Sequence, residues 1–98
     1  MEVIKLADFI SKYPAYRISA NKLFNFIDKL NEENIIIDFS NVEGITHSFA
    51  SQYFDDKKLT KKNIKELDMN DNVTKMFKTL NNKKTFNDYN IEISNFSL

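Results

Sequence analysis

Thr46, His47 and Ser48 stand in a row, and Asp38 precedes them by a short polar stretch. A hydroxyl, an imidazole and a carboxylate are the parts of a nucleophile activated through a base. The same hydroxyls are also the groups that accept a phosphoryl group. The two chemistries ask for different geometry. If Thr46 caps a helix, His47 and Ser48 occupy successive helical positions and diverge by roughly 100° about its axis. The base then points away from the nucleophile. No Gly-x-Ser-x-Gly elbow is present either. A hydrolase is therefore not expected. A phosphate on Ser48, in contrast, would face free backbone N–H groups and the positive end of the helix dipole. It would bring nearly two negative charges to a surface that a partner could sense.

Elements must present this corner. "NIIIDF" (34–39) is rich in branched side chains and apolar on both faces, which predicts a central strand covered on both sides, with Asp38 near its C-terminal end. From Thr46 to about Asp55, Phe49 and Tyr53 keep helical spacing with Ile45, and Ala50 and Phe54 widen the face. Upstream, Val3, Ile4 and Leu6 suggest a short first strand. "ADFISKY" gives a turn or two of helix ending near Pro14. Ala20, Leu23, Phe24, Ile27 and Leu30 predict a helix over about 20–31 with Ser19 as its N-cap. Downstream, "KKLTKK" reads as a solvated connection and "IKEL" as a strand. Met69, Val73, Met76, Phe77 and Leu80 predict a last helix capped by Asn70 or Asp71. The tail 81–98 could add an edge strand through Ile91 and Ile93, or dock on a partner. The alternation of strand and helix, β-α-β-α-β-α, predicts an α/β domain with a small, mostly parallel or mixed sheet packed against helices.

Totals exclude several classes. The chain of 98 residues suits one domain. Its 14 basic and 14 acidic residues cancel, which argues against binding nucleic acid or an acidic membrane. The basic run Lys57, Lys58, Lys61 and Lys62 follows Asp55 and Asp56, which weaken its field. Cysteine is absent, so disulfides and thiolate metal sites are excluded, and a lone histidine supplies no zinc site. The single glycine, Gly44, makes a phosphate-cradling loop untenable. No catalytic residue, metal or cofactor is expected. No apolar run approaches the roughly 20 residues of a membrane span, and "MEVIKLADF" lacks the build of a signal peptide. A cytoplasmic protein is expected. Phe26 and Phe54 fall off their helical faces and are candidates for a surface that meets another protein.

"NIIIDFSNVEGITHSFASQYF" is similar to the core motif of the STAS-like domains labelled DUF4325: a strand ending in Asp-Phe, a Val-Glu turn, then Ile-Thr-x-Ser-Phe-Ala opening a helix. "YRISANKLFNFIDKL" resembles that family's Arg-containing lead-in and first helix. "NIKELDMNDNVTKMFKTL" resembles its last strand and closing helix. The resemblance runs over about residues 3–80. It implies a STAS-type fold and kinship with anti-sigma factor antagonists. In those proteins a serine on the helix after this strand is phosphorylated by a partner kinase with a histidine-kinase-like ATPase fold, and the complex is released. Their pattern is Asp-Ser-Ser-Gly. Aligned through the strand, Thr46 takes the Asp position, His47 that of the phosphoserine, Ser48 the second serine and Phe49 the glycine.

What the resemblance implies is a non-enzymatic regulatory module that binds a protein, an ATPase of that type or an anti-sigma factor. Ser48 and Thr46 are its phosphoacceptor candidates. Gly44, Thr46, His47, Ser48, Ser51 and Gln52 are its partner-binding candidates. The alternative keeps the scaffold without a switch, as a small stand-alone inhibitor or adaptor of the kind a mobile element carries. A monomer or weak homodimer is expected in either case.

Overall fold

A computed structural model describes residues 1–80. The chain runs through β1 (Glu2–Lys5), α1 (Leu6–Phe9), α2 (Arg17–Asp28), β2 (Asn34–Asp38), α3 (His47–Leu59) and β3 (Asn63–Leu67). A further helix, α4, covers residues 71–80. The α/β order is the one expected. The three strands form one sheet in the order β1-β2-β3, both pairs parallel, with β2 in the centre. No antiparallel pairing occurs among the described residues. The expected contribution of the tail lies outside them.

One expectation about β2 is corrected. Ile35 and Ile37 are buried, and they share a face with Ile4 of β1. Leu23, Phe24 and Ile27 of α2, Phe49 and Tyr53 of α3, and Val73 of α4 join them in one core. On the opposite face Ile36 is only half-buried, while Val3 and Leu67 are 49% and 47% exposed. Among the described residues, the helices cover one face only. Three consecutive isoleucines do not reveal this, because branched residues favour a strand whether or not its second face is covered.

Local boundaries also moved. Leu6, expected in β1, is the fully buried first residue of α1. β2 ends at Asp38; Phe39 follows it and donates its N–H to the Leu67 carbonyl at 2.8 Å. Helix α2 begins at Arg17, not near residue 20, and its N-cap is Tyr16, not Ser19. Ser19 lies inside the first turn and gives its N–H to the Tyr16 carbonyl at 3.0 Å. Tyr16 supplies no capping side chain. Backbone bonds from the neighbouring loop fix the entry to the helix instead, and nothing local in the sequence marks them. Helix α3 runs past Asp55 to Leu59, so the first half of "KKLTKK" is helical. Asn70 is the cap of α4, accepting the Val73 N–H at 3.0 Å.

The basic run is therefore not a solvated loop. Lys57 ion-pairs with Glu66 at 2.8 Å, and Lys58 lies 4.9 Å from the centre of the Phe54 ring. Lys62 donates to the carbonyls of Leu30 and Glu32 at 2.6 and 2.7 Å, closing the turn after α2. Lys57 and Lys62 thus join segments distant in sequence, while Lys58 and Lys61 stay exposed. Phe26 packs on Phe9 with ring centres 5.0 Å apart. Phe54 lines a separate open hollow of about 380 Å³ between α3, β3 and α4. The two phenylalanines do not form one surface. Among the described residues no helix is long and apolar enough to cross a membrane. Nor do three His, Cys, Asp or Glu residues there come together to hold a metal.

Candidate functional site

Asp38 ends the central strand and is the one charged residue assigned to the interior among those described. Lys5 is its register partner on β1, and that charge favours the ionised carboxylate. Its carboxylate accepts the Ser40 N–H at 2.9 Å, which turns the chain away from the sheet. Bonds from the Ser40 backbone and then its hydroxyl hold the Asp38 carboxyl below the usual carboxylate range. Asp38 is thus occupied locally and does not orient His47.

The loop that follows bends through Asn41, in the left-handed region at φ 68°, and Val42 closes the turn onto the Phe39 carbonyl at 3.0 Å. Asparagine tolerates that conformation at modest cost. Gly44 does not need its freedom. Its φ is not positive, and an added Cβ would sit 3.9 Å from the Tyr13 ring, an ordinary contact. Gly44→Ala is expected to fold and to match or exceed the parent's stability by up to about 1 kcal/mol, because alanine narrows the unfolded ensemble. Urea unfolding of the two proteins side by side checks this.

Thr46 caps α3 as expected. Its hydroxyl oxygen accepts the Phe49 N–H at 3.1 Å, and its carbonyl starts the helix by taking the Ala50 N–H at 3.0 Å. The same hydroxyl donates to the Ala15 carbonyl at 2.6 Å. Both functions of the Thr46 side chain are therefore in use. Around it, Thr46 N–H meets the Pro14 carbonyl at 3.2 Å and Glu43 N–H the Lys12 carbonyl at 2.8 Å. The Tyr13 hydroxyl donates to Glu43 at 2.7 Å. From the other side, the Asn70 amide donates to the carbonyls of Val42 and Glu43 at 3.0 and 3.2 Å. Segments distant in sequence thus clamp the 42–46 loop.

His47 and Ser48 open α3 and are both exposed. They occupy successive helical positions, so the roughly 100° rotation per residue points them apart. Phe49, Ala50 and Tyr53 turn inward and are buried. Ser51 and Gln52 are half-buried, and Gln52 spends its amide on Asp56 at 2.9 Å. Gly44 is half-buried. Of the six residues named from the sequence, His47 and Ser48 offer the freest side chains. Thr46 and Gln52 are engaged within the fold. Tyr13, Tyr16 and Ile18 were not among those six, although they are 62%, 71% and 61% exposed and belong to the segment that Thr46 ties to α3. Tyrosines beside Pro14 were the available signal. Their proximity to α3 arises only through contacts across thirty-one positions of sequence.

No curated protein and no solved structure matches the chain. A family model does: that of the STAS-like domain of unknown function, DUF4325, over residues 19–73. The match runs from the first turn of α2 through β2, the clamped loop, α3 and β3 to the start of α4. It is shorter at both ends than the resemblance over 3–80, and it contains the Thr46–Ser48 corner whole. With more than half of its 98 residues inside that match, in a parallel three-stranded α/β fold, the chain belongs to the DUF4325 family of STAS-like domains.

Proposed function

We infer that this protein is a non-enzymatic, cytoplasmic regulatory module that binds a protein partner through the N-terminal end of α3, with Ser48 as the residue a kinase modifies. The supporting observation is the division of labour between two neighbouring hydroxyls. Thr46 uses its hydroxyl as both acceptor and donor within the fold, whereas Ser48 stands exposed on the first turn of α3. Phosphorylating Thr46 would break the cap. Phosphorylating Ser48 leaves the cap intact and sets the phosphate beside first-turn N–H groups that helix geometry leaves unpaired.

The partner this reading calls for is an ATPase of the histidine-kinase-like type, or an anti-sigma factor of that build. The Ser48 hydroxyl oxygen would attack the γ-phosphorus of ATP held by the partner. ADP would leave, and a base of the partner would take the hydroxyl proton. The product would alter the charge of the docking face, and with it affinity.

Incubation with ATP and the cognate ATPase is expected to add about 80 Da, the mass of one phosphoryl group. Fragmentation should place it on Ser48, and Ser48→Ala should abolish it. A modification that acid removes would point to His47 instead. If the ATPase binds tightly and never modifies the protein, the switch is wrong and the plain adaptor or inhibitor remains.

A further inference from the structure

The segment Lys12–Ile18 combines features that surfaces rarely carry without use. Tyr13, Tyr16 and Ile18 are each more than 60% exposed, a density of large apolar side chains out of keeping with an ordinary solvated turn. Lys12 and Arg17 are exposed among them. Against these two cations stands Glu43, which accepts the Tyr13 hydroxyl. Tyrosine and arginine are the residues that dominate binding energy at protein interfaces.

The segment is also held in place. Glu43 and Thr46 donate backbone N–H groups to Lys12 and Pro14, and the Thr46 hydroxyl reaches Ala15. The Tyr13 hydroxyl is held by Glu43 at 2.7 Å. A surface already ordered loses little conformational freedom on binding. The same bonds join it to the cap of α3.

We propose that Lys12–Ile18 is a preformed docking ledge for a protein partner whose contact surface is apolar at its centre and acidic at its rim. The excess of Lys12 and Arg17 over Glu43 selects the acidic rim, and the exposed Tyr16 and Ile18 select the apolar centre. The ledge widens the docking face inferred for α3, but it does not require Ser48 to be modified.

Photocrosslinking tests it in the full chain, expressed in its own host. A benzophenone amino acid replaces Tyr16 in one protein and, as control, Leu59, an 81% exposed residue at the far end of α3, in another. The expected result is one protein joined at position 16 and not at 59. Mass spectrometry should locate the link in an apolar segment flanked by Asp or Glu. Lys12→Glu with Arg17→Glu should lower its yield about tenfold, as loss of charge complementarity does. No adduct at position 16, the same adduct at both positions, a link into a basic or purely polar segment, an adduct with a second copy of this chain, or a yield indifferent to charge reversal each overturns the ledge. The purified ATPase separates this from the α3 reading. Ile18→Ala with Tyr16→Ala should weaken its binding by about thirtyfold or more if the ledge is used, with an unchanged melting temperature. Binding that survives both substitutions sinks the ledge and leaves α3 docking standing. An ATPase that ignores the parent protein sinks the α3 reading, while the crosslink still decides the ledge.

Discussion

Replacing Tyr53 by alanine is expected to cost about 3–5 kcal/mol, the largest effect of any single change considered. Tyr53 is 2% exposed at the meeting point of three helices and the sheet. Its ring lies 5.2 Å from that of Phe24, 6.0 Å from Phe39, 6.1 Å from Phe49 and 5.1 Å from Phe77, centre to centre. Alanine would leave a hole among four rings that cannot all move inward together. A domain of this size has a total stability on the order of 5–15 kcal/mol, so the variant should be largely unfolded at modest urea concentrations.

Tyr53→Phe separates the ring from the hydroxyl. That hydroxyl donates to Glu66 at 2.6 Å, and Glu66 keeps Lys57 at 2.8 and 3.1 Å when the phenol is lost. The cost should be about 1–3 kcal/mol, toward the lower end because the carboxylate remains paired. Alkaline pH gives an independent check. Burial first, then the Glu66 charge and hydrogen bond, raises the Tyr53 hydroxyl well above the usual phenol range. A raised folded-state value contributes stability that is complete below about pH 10, where the unfolded phenol is still neutral, and that is lost as pH rises toward the folded value. Parent stability should therefore fall more steeply above about pH 10 than that of Tyr53→Phe. Equal slopes would show that the phenol is not held neutral by its surroundings.

The second large effect is expected at Thr46. Thr46→Val removes the cap on Phe49 and the donor to Ala15 while keeping the shape of the side chain. Loss of an N-cap costs about 0.5–2 kcal/mol, and the unmet Ala15 carbonyl takes the expected loss to the upper part of that range. Thr46→Ser restores both bonds and should stay within about 0.5 kcal/mol of the parent. Hydrogen exchange at the Phe49 amide should quicken in the valine variant and not in the serine one. Ser48→Ala, two residues further on, should leave stability within about 0.5 kcal/mol, because its hydroxyl serves no described contact. A stable Thr46→Val protein with a protected Phe49 amide would remove the physical basis for assigning the cap to Thr46 and the modification to Ser48.

Much of this was legible in the sequence, and for definite reasons. Strand β2 announces itself by three branched residues and a closing Asp, α3 by Phe49 and Tyr53 at helical spacing, and the cap by Thr46 three positions before a buried Phe. Each of these signals is local: spacing decides which face is apolar, and a hydroxyl before a helix satisfies the nearest free N–H. The Thr46–His47–Ser48 corner could therefore be placed, and a Ser-His couple set aside, from helical geometry alone.

What only the tertiary structure decided depends on bonds between remote segments. Helix α2 starts earlier than its polar signals indicate because the Pro14–Tyr16 entry is fixed by Thr46, not by Ser19. The lysine run looked solvated because its partners, Glu66 and the carbonyls after α2, are distant in sequence. The second face of the sheet looked covered because isoleucine is chosen for backbone preference as well as for burial. The segment that enters α2 is tied to the start of α3 because one threonine hydroxyl caps α3 and also bonds the Ala15 carbonyl ahead of α2. Periodicity encodes which way a side chain faces on its own element. Which element lies opposite it is set by the packing of the whole chain, and no spacing within a single segment records that.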